Sequence, residues 1–139
     1  MTLAVADASI ALKLFLAEDG SPEAEVLHKN YDWIAPDLVI PETLNALWKA
    51  FRRGLVGMDQ AAQIAAAVAE PFSALVPAEE LAEAAWNIAT QLDHPAYDAF
   101  YVALAGRERC SLFTADERLC RKTRGNPYSE VVNLLRSPR

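Results

Sequence analysis

The stretch "PAYDAFYVALAG", Pro95 to Gly106, decides the fold. From Ala96 to Gly106 the only charge is Asp98, and the pattern is that of a helix apolar nearly all the way round. Such a helix is buried rather than laid on a surface. A carboxylate inside it must be desolvated, which is costly unless a cation or good hydrogen bonds compensate. Taken alone, Asp98 has an ordinary reading: it lies three residues after Pro95, where a first-turn acid favours the positive end of the helix dipole. The surrounding sequence argues for more.

Outward from this segment, short apolar or β-branched runs alternate with longer helical patterns, which predicts an α/β domain with a parallel sheet. The strand candidates are "LAVA" (3–6), "DWIA" (32–35), "FSALV" (72–76), "SLFT" (111–114) and "VVNLL" (131–135). Helices are predicted over 8–18, 21–30, 41–54, 58–70, 77–92 and 95–108, with a short one beginning near Asp116. Ser21-Pro22 reads as a cap before a first-turn proline, Pro41 and Pro95 fit first turns, and Gly54 is a terminator. No repeat or linker interrupts the pattern, so 139 residues are expected to form one domain, 1–139.

No apolar run reaches the roughly 18 residues of a membrane span. The first residues lack a basic leader and are interrupted by Asp7 and Lys13, so no signal peptide is expected. Cys110 and Cys120 have no metal-ligand spacing and are expected to be reduced thiols of a cytoplasmic protein. His28 and His94 are isolated in sequence, which argues against zinc.

The net charge of −6 hides an asymmetry. Residues 1–106 carry 5 Lys or Arg against 15 acids, a balance of −10, and residues 107–139 carry 8 against 4, a balance of +4. Arg107, Arg109, Arg118, Arg121, Lys122 and Arg124 could neutralise phosphates, although basic stretches of this kind are also common as solvated faces.

Three acids fall just beyond strands: Asp7 after the first, Glu42 opening the helix after the second, and Asp116 after the fourth. Asp7 and Asp116 suit N-caps, and Glu42 suits a first helical turn. In open parallel sheets, however, ligands bind beyond the carboxyl ends of the strands, where these acids and Asp98 can converge. Close carboxylates repel by roughly 4 kcal/mol per pair at a surface-like dielectric. A hard divalent cation held by oxygen ligands, Mg²⁺ or Mn²⁺, relieves that repulsion.

The blocks "VADAS", "PETLNAL", "YDAFYVALA" and "LFTADERL", in this order, resemble the motifs of PIN-domain ribonucleases, most closely VapC toxins of toxin–antitoxin pairs, over essentially the whole chain. The resemblance implies a three-layer domain with strand order 3-2-1-4-5. It also implies that Asp7, Glu42, Asp98 and Asp116 form the catalytic, metal-binding quartet, with Ser9 and Thr114 supporting it. Where some relatives carry a further acid, this chain has Arg118, with Glu117 as a neighbour. The implied reaction is hydrolysis of single-stranded RNA by metal-activated water, with the basic residues guiding the strand and with a small antitoxin and a second copy as partners. "ALWKAFRRGL", with Trp48, Phe51 and Leu55, suits an antitoxin-covered helix as well as a core stripe, and Trp33 belongs to the same group of coverable aromatics. Two other readings remain: a phosphoacceptor receiver domain, and a PIN-fold interaction module without catalysis. The first lacks a Lys soon after "SLFT"; the second leaves four acids without a use.

Overall fold

Strands β1 (Leu3–Ala6), β2 (Asp32–Pro36), β3 (Phe72–Val76), β4 (Ser111–Thr114) and β5 (Val132–Leu134) pair in parallel in the order β3-β2-β1-β4-β5 in the computed structural model, which describes residues 1–135. Residues 136–139, the end of the expected domain and of its basic stretch, lie outside the described residues. Seven α-helices flank the sheet among the described residues: α1 (Ala8–Ala11), α2 (Ser21–Asn30), α3 (Val39–Arg52), α4 (Met58–Ala67), α5 (Ala78–Leu92), α6 (Ala96–Glu108) and α7 (Glu117–Thr123). The expected strand order is present, and it differs from the 2-1-3-4-5 order of receiver domains. That difference removes the receiver reading.

Side chains alternate across the sheet as strand geometry requires. Val5, Ile34 and Leu112 point into a core closed by α5 and α6, while Ala6, Trp33 and Phe113 point to the opposite face, covered by α1 and α2. Helix α6 packs along α5 and crosses β1, β2 and β4. Its buried residues include Ala99 and the run Tyr101–Ala105, which wraps round the helix as its apolar sequence predicts. Trp33, grouped above with coverable aromatics, is 1% exposed and belongs to the core; its ring meets His28 edge-on at 4.7 Å. A third cluster, including Leu12, Leu16, Leu47 and Ile64, holds α3 and α4 against the segment after α1.

Three local expectations are corrected. The helix expected over 8–18 is four residues of α-helix and a 3-10 turn at Leu12–Leu14, because the chain must then reverse into α2. Lys13 Nζ reaches the Asp19 carbonyl at 2.6 Å, and Gly20 takes φ 89° in that reversal, a conformation that suits glycine. Ser21 is the first residue of α2 rather than its cap; its hydroxyl donates to the Leu16 carbonyl at 2.7 Å and pins the loop. Helix α3 starts at Val39, earlier than Pro41, which leaves Pro41 in the first turn where its missing N–H is harmless. Gly54 follows α3 at φ 76°, its N–H bonded to the Phe51 carbonyl, and terminates the helix as expected.

Candidate active site

The chain order reverses between β1 and β4, and the side chains at their carboxyl ends are tied together. Asp7 follows β1 and caps α1, its Oδ1 accepting from the Ile10 N–H at 3.2 Å and from the Ser9 hydroxyl at 2.5 Å. Ser9 Oγ also accepts from the Ala115 N–H at 3.0 Å, so it bridges the exits of the two strands. Thr114, fully buried at the end of β4, accepts from the Asp116 N–H at 3.0 Å and hydrogen-bonds Asp7. Asp116 caps α7 by accepting from the Arg118 N–H at 2.9 Å. The capping reading of both aspartates is therefore correct, and it does not compete with a second role. A cap uses one carboxylate oxygen and leaves acceptor capacity on the other.

Asp7 is 7% exposed, and its pKa rises from 3.8 to about 6. Burial is the main cause; hydrogen bonds from Ser9, Thr114 and Ile10 oppose it, and the Asp98 charge adds to it. Glu42, in the first turn of α3, is also raised, first by burial and then by the charges of Asp7 and Asp98, against the opposing bond from Tyr101. The Asp98 charge thus reaches both of the others, and that of Asp7 reaches Glu42. Each has its own partner: the Tyr101 hydroxyl donates to Glu42 Oε1 at 2.5 Å, and His94 Nε2, in the loop before α6, lies 2.6 Å from Asp98 Oδ2. With Asp98 ionised, the His94 ring N–H is the donor. Among the described residues no group of three or more His, Cys, Asp or Glu side chains stands in an arrangement that could hold a metal ion. The acids share a neighbourhood rather than a ready-made coordination shell.

Glu42, Asp98 and Asp116 open into one cleft of about 620 Å³ that is also lined by Arg118, Arg121 and Lys122, with the exposed Tyr97 among its lining residues. Arg118 and Arg121 are largely exposed and lie 3.8 Å and 3.7 Å from the carboxylates of Asp116 and Glu117; Lys122 Nζ donates to the Asp93 carbonyl at 3.1 Å. Arg107 and Arg109 are elsewhere. Arg107 lies nine positions along α6 from Asp98, about 14 Å at roughly 1.5 Å per residue, and is paired with Glu80 and Glu108. Arg109 closes the far end of α6, at φ 54°.

The sequence matches the model of the PIN domain over residues 4–125. The chain belongs to the PIN domain family. This PIN domain is 35% identical, over 121 residues covering 85% of it and 92% of the relative, to ribonuclease VapC3 of Pyrobaculum aerophilum. Among solved structures it is similar to PAE2754 of Pyrobaculum aerophilum, with TM-score 0.64 and 28% identity over 90% of this chain and 82% of the other. A toxin–antitoxin complex from Klebsiella pneumoniae gives TM-score 0.66 at 18% identity, covering 97% of this chain and 99% of the other. VapBC2 of Rickettsia felis, bound to a promoter DNA fragment, gives 0.68 at 13%, covering 97% and 100%. The last two likenesses show the fold alone.

Two residues of this PIN domain's site escaped the sequence reading. His94 looked isolated because it precedes α6 and meets Asp98 only where the loop before Pro95 folds back over the first turn of that helix. Tyr101 gave no signal either, since its contact with Glu42 spans 59 residues and exists only through packing.

Proposed function

We propose that this PIN domain is a metal-dependent endoribonuclease that hydrolyses phosphodiester bonds of single-stranded RNA, acting as the toxin of a toxin–antitoxin pair in the cytoplasm. The observation that carries the reading is the cleft lined by Glu42, Asp98 and Asp116 together with Arg118, Arg121 and Lys122, with Asp7 buried and coupled to Asp98. A carboxylate cluster alone repels phosphate, whereas acids and bases together at one opening suit a substrate that brings negative charge to a cation site. The ribonuclease name of the VapC3 relative supports the same reading.

The donor set fits Mg²⁺ or Mn²⁺. It consists of hard carboxylate oxygens without Cys, and burial and mutual charge raise the pKa values of Asp7 and Glu42, the unfavourable state that a cation relieves. Asp7, Glu42, Asp98 and Asp116 would hold the ion after their side chains turn toward it, since as they stand no three of them form a metal-binding group. Bound there, it supplies charge neutralisation at the scissile phosphate and a lowered pKa for attacking water. The protein's own groups do the rest. Ser9 and Thr114 fix the Asp7 carboxylate, Tyr101 and His94 aim those of Glu42 and Asp98, and Arg118, Arg121 and Lys122 draw in the RNA phosphates.

The antitoxin is proposed to cover α3 and the start of α4, where Leu44, Trp48, Leu55 and Met58 are exposed. Arg52 sits over the Trp48 ring at 5.2 Å, leaving one aromatic face for a partner. A homodimer, with the whole chain as one domain in each copy, completes the proposed assembly. Incubation of the purified protein with a pool of RNAs in Mn²⁺, Mg²⁺ or EDTA tests the activity. Cleavage only with a divalent ion is expected; intact RNA in all three, with folded protein, contradicts it.

A further inference from the structure

We propose that Tyr97, with Trp86 beyond it, forms a base-stacking subsite for single-stranded RNA at the mouth of the acidic cleft; this rests on the ribonuclease reading above. Tyr97 is 67% exposed and Trp86 66% exposed. Singly, exposed aromatics are ordinary. Here they occupy successive grooves: Tyr97 lines the acidic cleft, Trp86 lines the next groove, and Asp93, His94 and Pro95 belong to both. The two grooves therefore adjoin, with one aromatic ring lining each.

The rings are also available. Aromatic contacts among the described residues join His28 to Trp33, Tyr31 to Phe113 and Trp33 to Phe72, and involve neither Tyr97 nor Trp86. Both sit on regular helices that pack along each other, Trp86 within α5 and Tyr97 in the first turn of α6, so the platform is held in place before RNA arrives. Consecutive helical side chains diverge, yet Tyr97 and Asp98 line the same cleft, so a base stacked on Tyr97 would enter the opening that holds the acids.

Position relative to the acids distinguishes this surface from the other exposed tryptophan, which has Arg52 over its ring but does not line the acidic cleft. Trp48 lies among Leu44, Leu55 and Met58, the composition of a protein-docking face. The Tyr97 cleft carries Arg118, Arg121 and Lys122, and a cationic wall with an aromatic ledge is how single strands are held without sequence readout. Stacking contributes on the order of 1–3 kcal/mol per base, which corresponds to roughly 5- to 150-fold in affinity.

The experiment measures kcat and KM for cleavage of a labelled single-stranded RNA in Mn²⁺, and for the same RNA made abasic in turn at each position flanking the cleaved bond. Tyr97→Ala is expected to raise KM by about 5- to 150-fold with a much smaller change in kcat, while Tyr97→Phe, which keeps the ring, stays near wild type. One abasic substitution should weaken wild type yet leave Tyr97→Ala unchanged. Trp86→Ala should raise KM as well. If wild type cleaves and Tyr97→Ala has the same KM, or the abasic losses are equal in both proteins, the subsite is wrong while the ribonuclease reading stands. If Trp86→Ala changes only self-association in sedimentation, Trp86 belongs to a protein interface and its part is overturned. If wild type does not cleave with any divalent ion, the ribonuclease reading fails and the subsite with it.

Discussion

Replacing Asp7 by Asn separates the stability of this domain from its chemistry. Asp7 is 7% exposed, and its pKa lies at about 6 instead of 3.8. An acid whose pKa is raised by folding binds its proton more tightly in the native state, so acidification favours the native state. The stabilising effect is complete below about 3.8, is lost as pH rises from there to about 6, and does not return above. That interval corresponds to about 3 kcal/mol. Asn has nearly the same volume, and its carbonyl can accept from Ser9 and Ile10, but its amide N–H₂ cannot accept the bond from Thr114, at about 1 kcal/mol. In EDTA above pH 6, Asp7→Asn should therefore be more stable than wild type by about 2 kcal/mol. Urea melts from pH 4 to 8 measure this. Wild-type stability should fall across the window while the variant's stays flatter, and the order should reverse when Mn²⁺ is added, because saturation at about 100 times the dissociation constant adds about 2.7 kcal/mol to wild type. Parallel pH curves, or a variant less stable than wild type in EDTA at pH 7.5, would refute the burial argument.

Other outcomes follow from the same contacts. His94→Ala removes the 2.6 Å partner of Asp98 and should raise the Mn²⁺ concentration for half-maximal cleavage by roughly 10- to 100-fold, with partial recovery in His94→Gln; an unchanged metal requirement would mean that His94 does not orient Asp98. Trp48→Ala, at a position 51% exposed, should leave the melting temperature near wild type while weakening a co-expressed antitoxin's binding at least tenfold, and equal affinity measured by calorimetry would move the partner off α3.

The parts of the fold that were legible in the sequence are those whose signal is local. "LAVA" and "SLFT" coincide with β1 and β4 because a short apolar run bounded by polar residues has few alternatives, and the all-round apolar pattern after Pro95 gave α6 its buried place. The segment 8–18 misled because Ala11, Leu12 and Leu16 are all buried at helical spacing although the chain turns. Trp33 showed how an aromatic in a strand can be read as coverable when the pleat carries it inward. The basic residues divided in a way that charge counting could not foresee: Arg118, Arg121 and Lys122 follow β4 and reach its carboxyl-end cleft, while Arg107 and Arg109 precede β4 and lie at the opposite end of α6. Asp7, Glu42 and Asp116 stood out by their positions after strands, and Asp98 as the lone charge of an apolar helix. Their partners Tyr101 and His94 became visible only when side chains were packed.

The most direct test of the central claim is the rate of single-stranded RNA cleavage in Mn²⁺ by wild type and by Asp98→Asn, each confirmed folded by a melt in EDTA. Asp98 is the charge that an otherwise apolar stretch retains, and it raises the pKa of both Asp7 and Glu42. The account predicts metal-dependent cleavage by wild type and a loss of at least about 100-fold in the folded variant. Cleavage by Asp98→Asn at the wild-type rate, or wild-type cleavage that persists undiminished in EDTA, would contradict it.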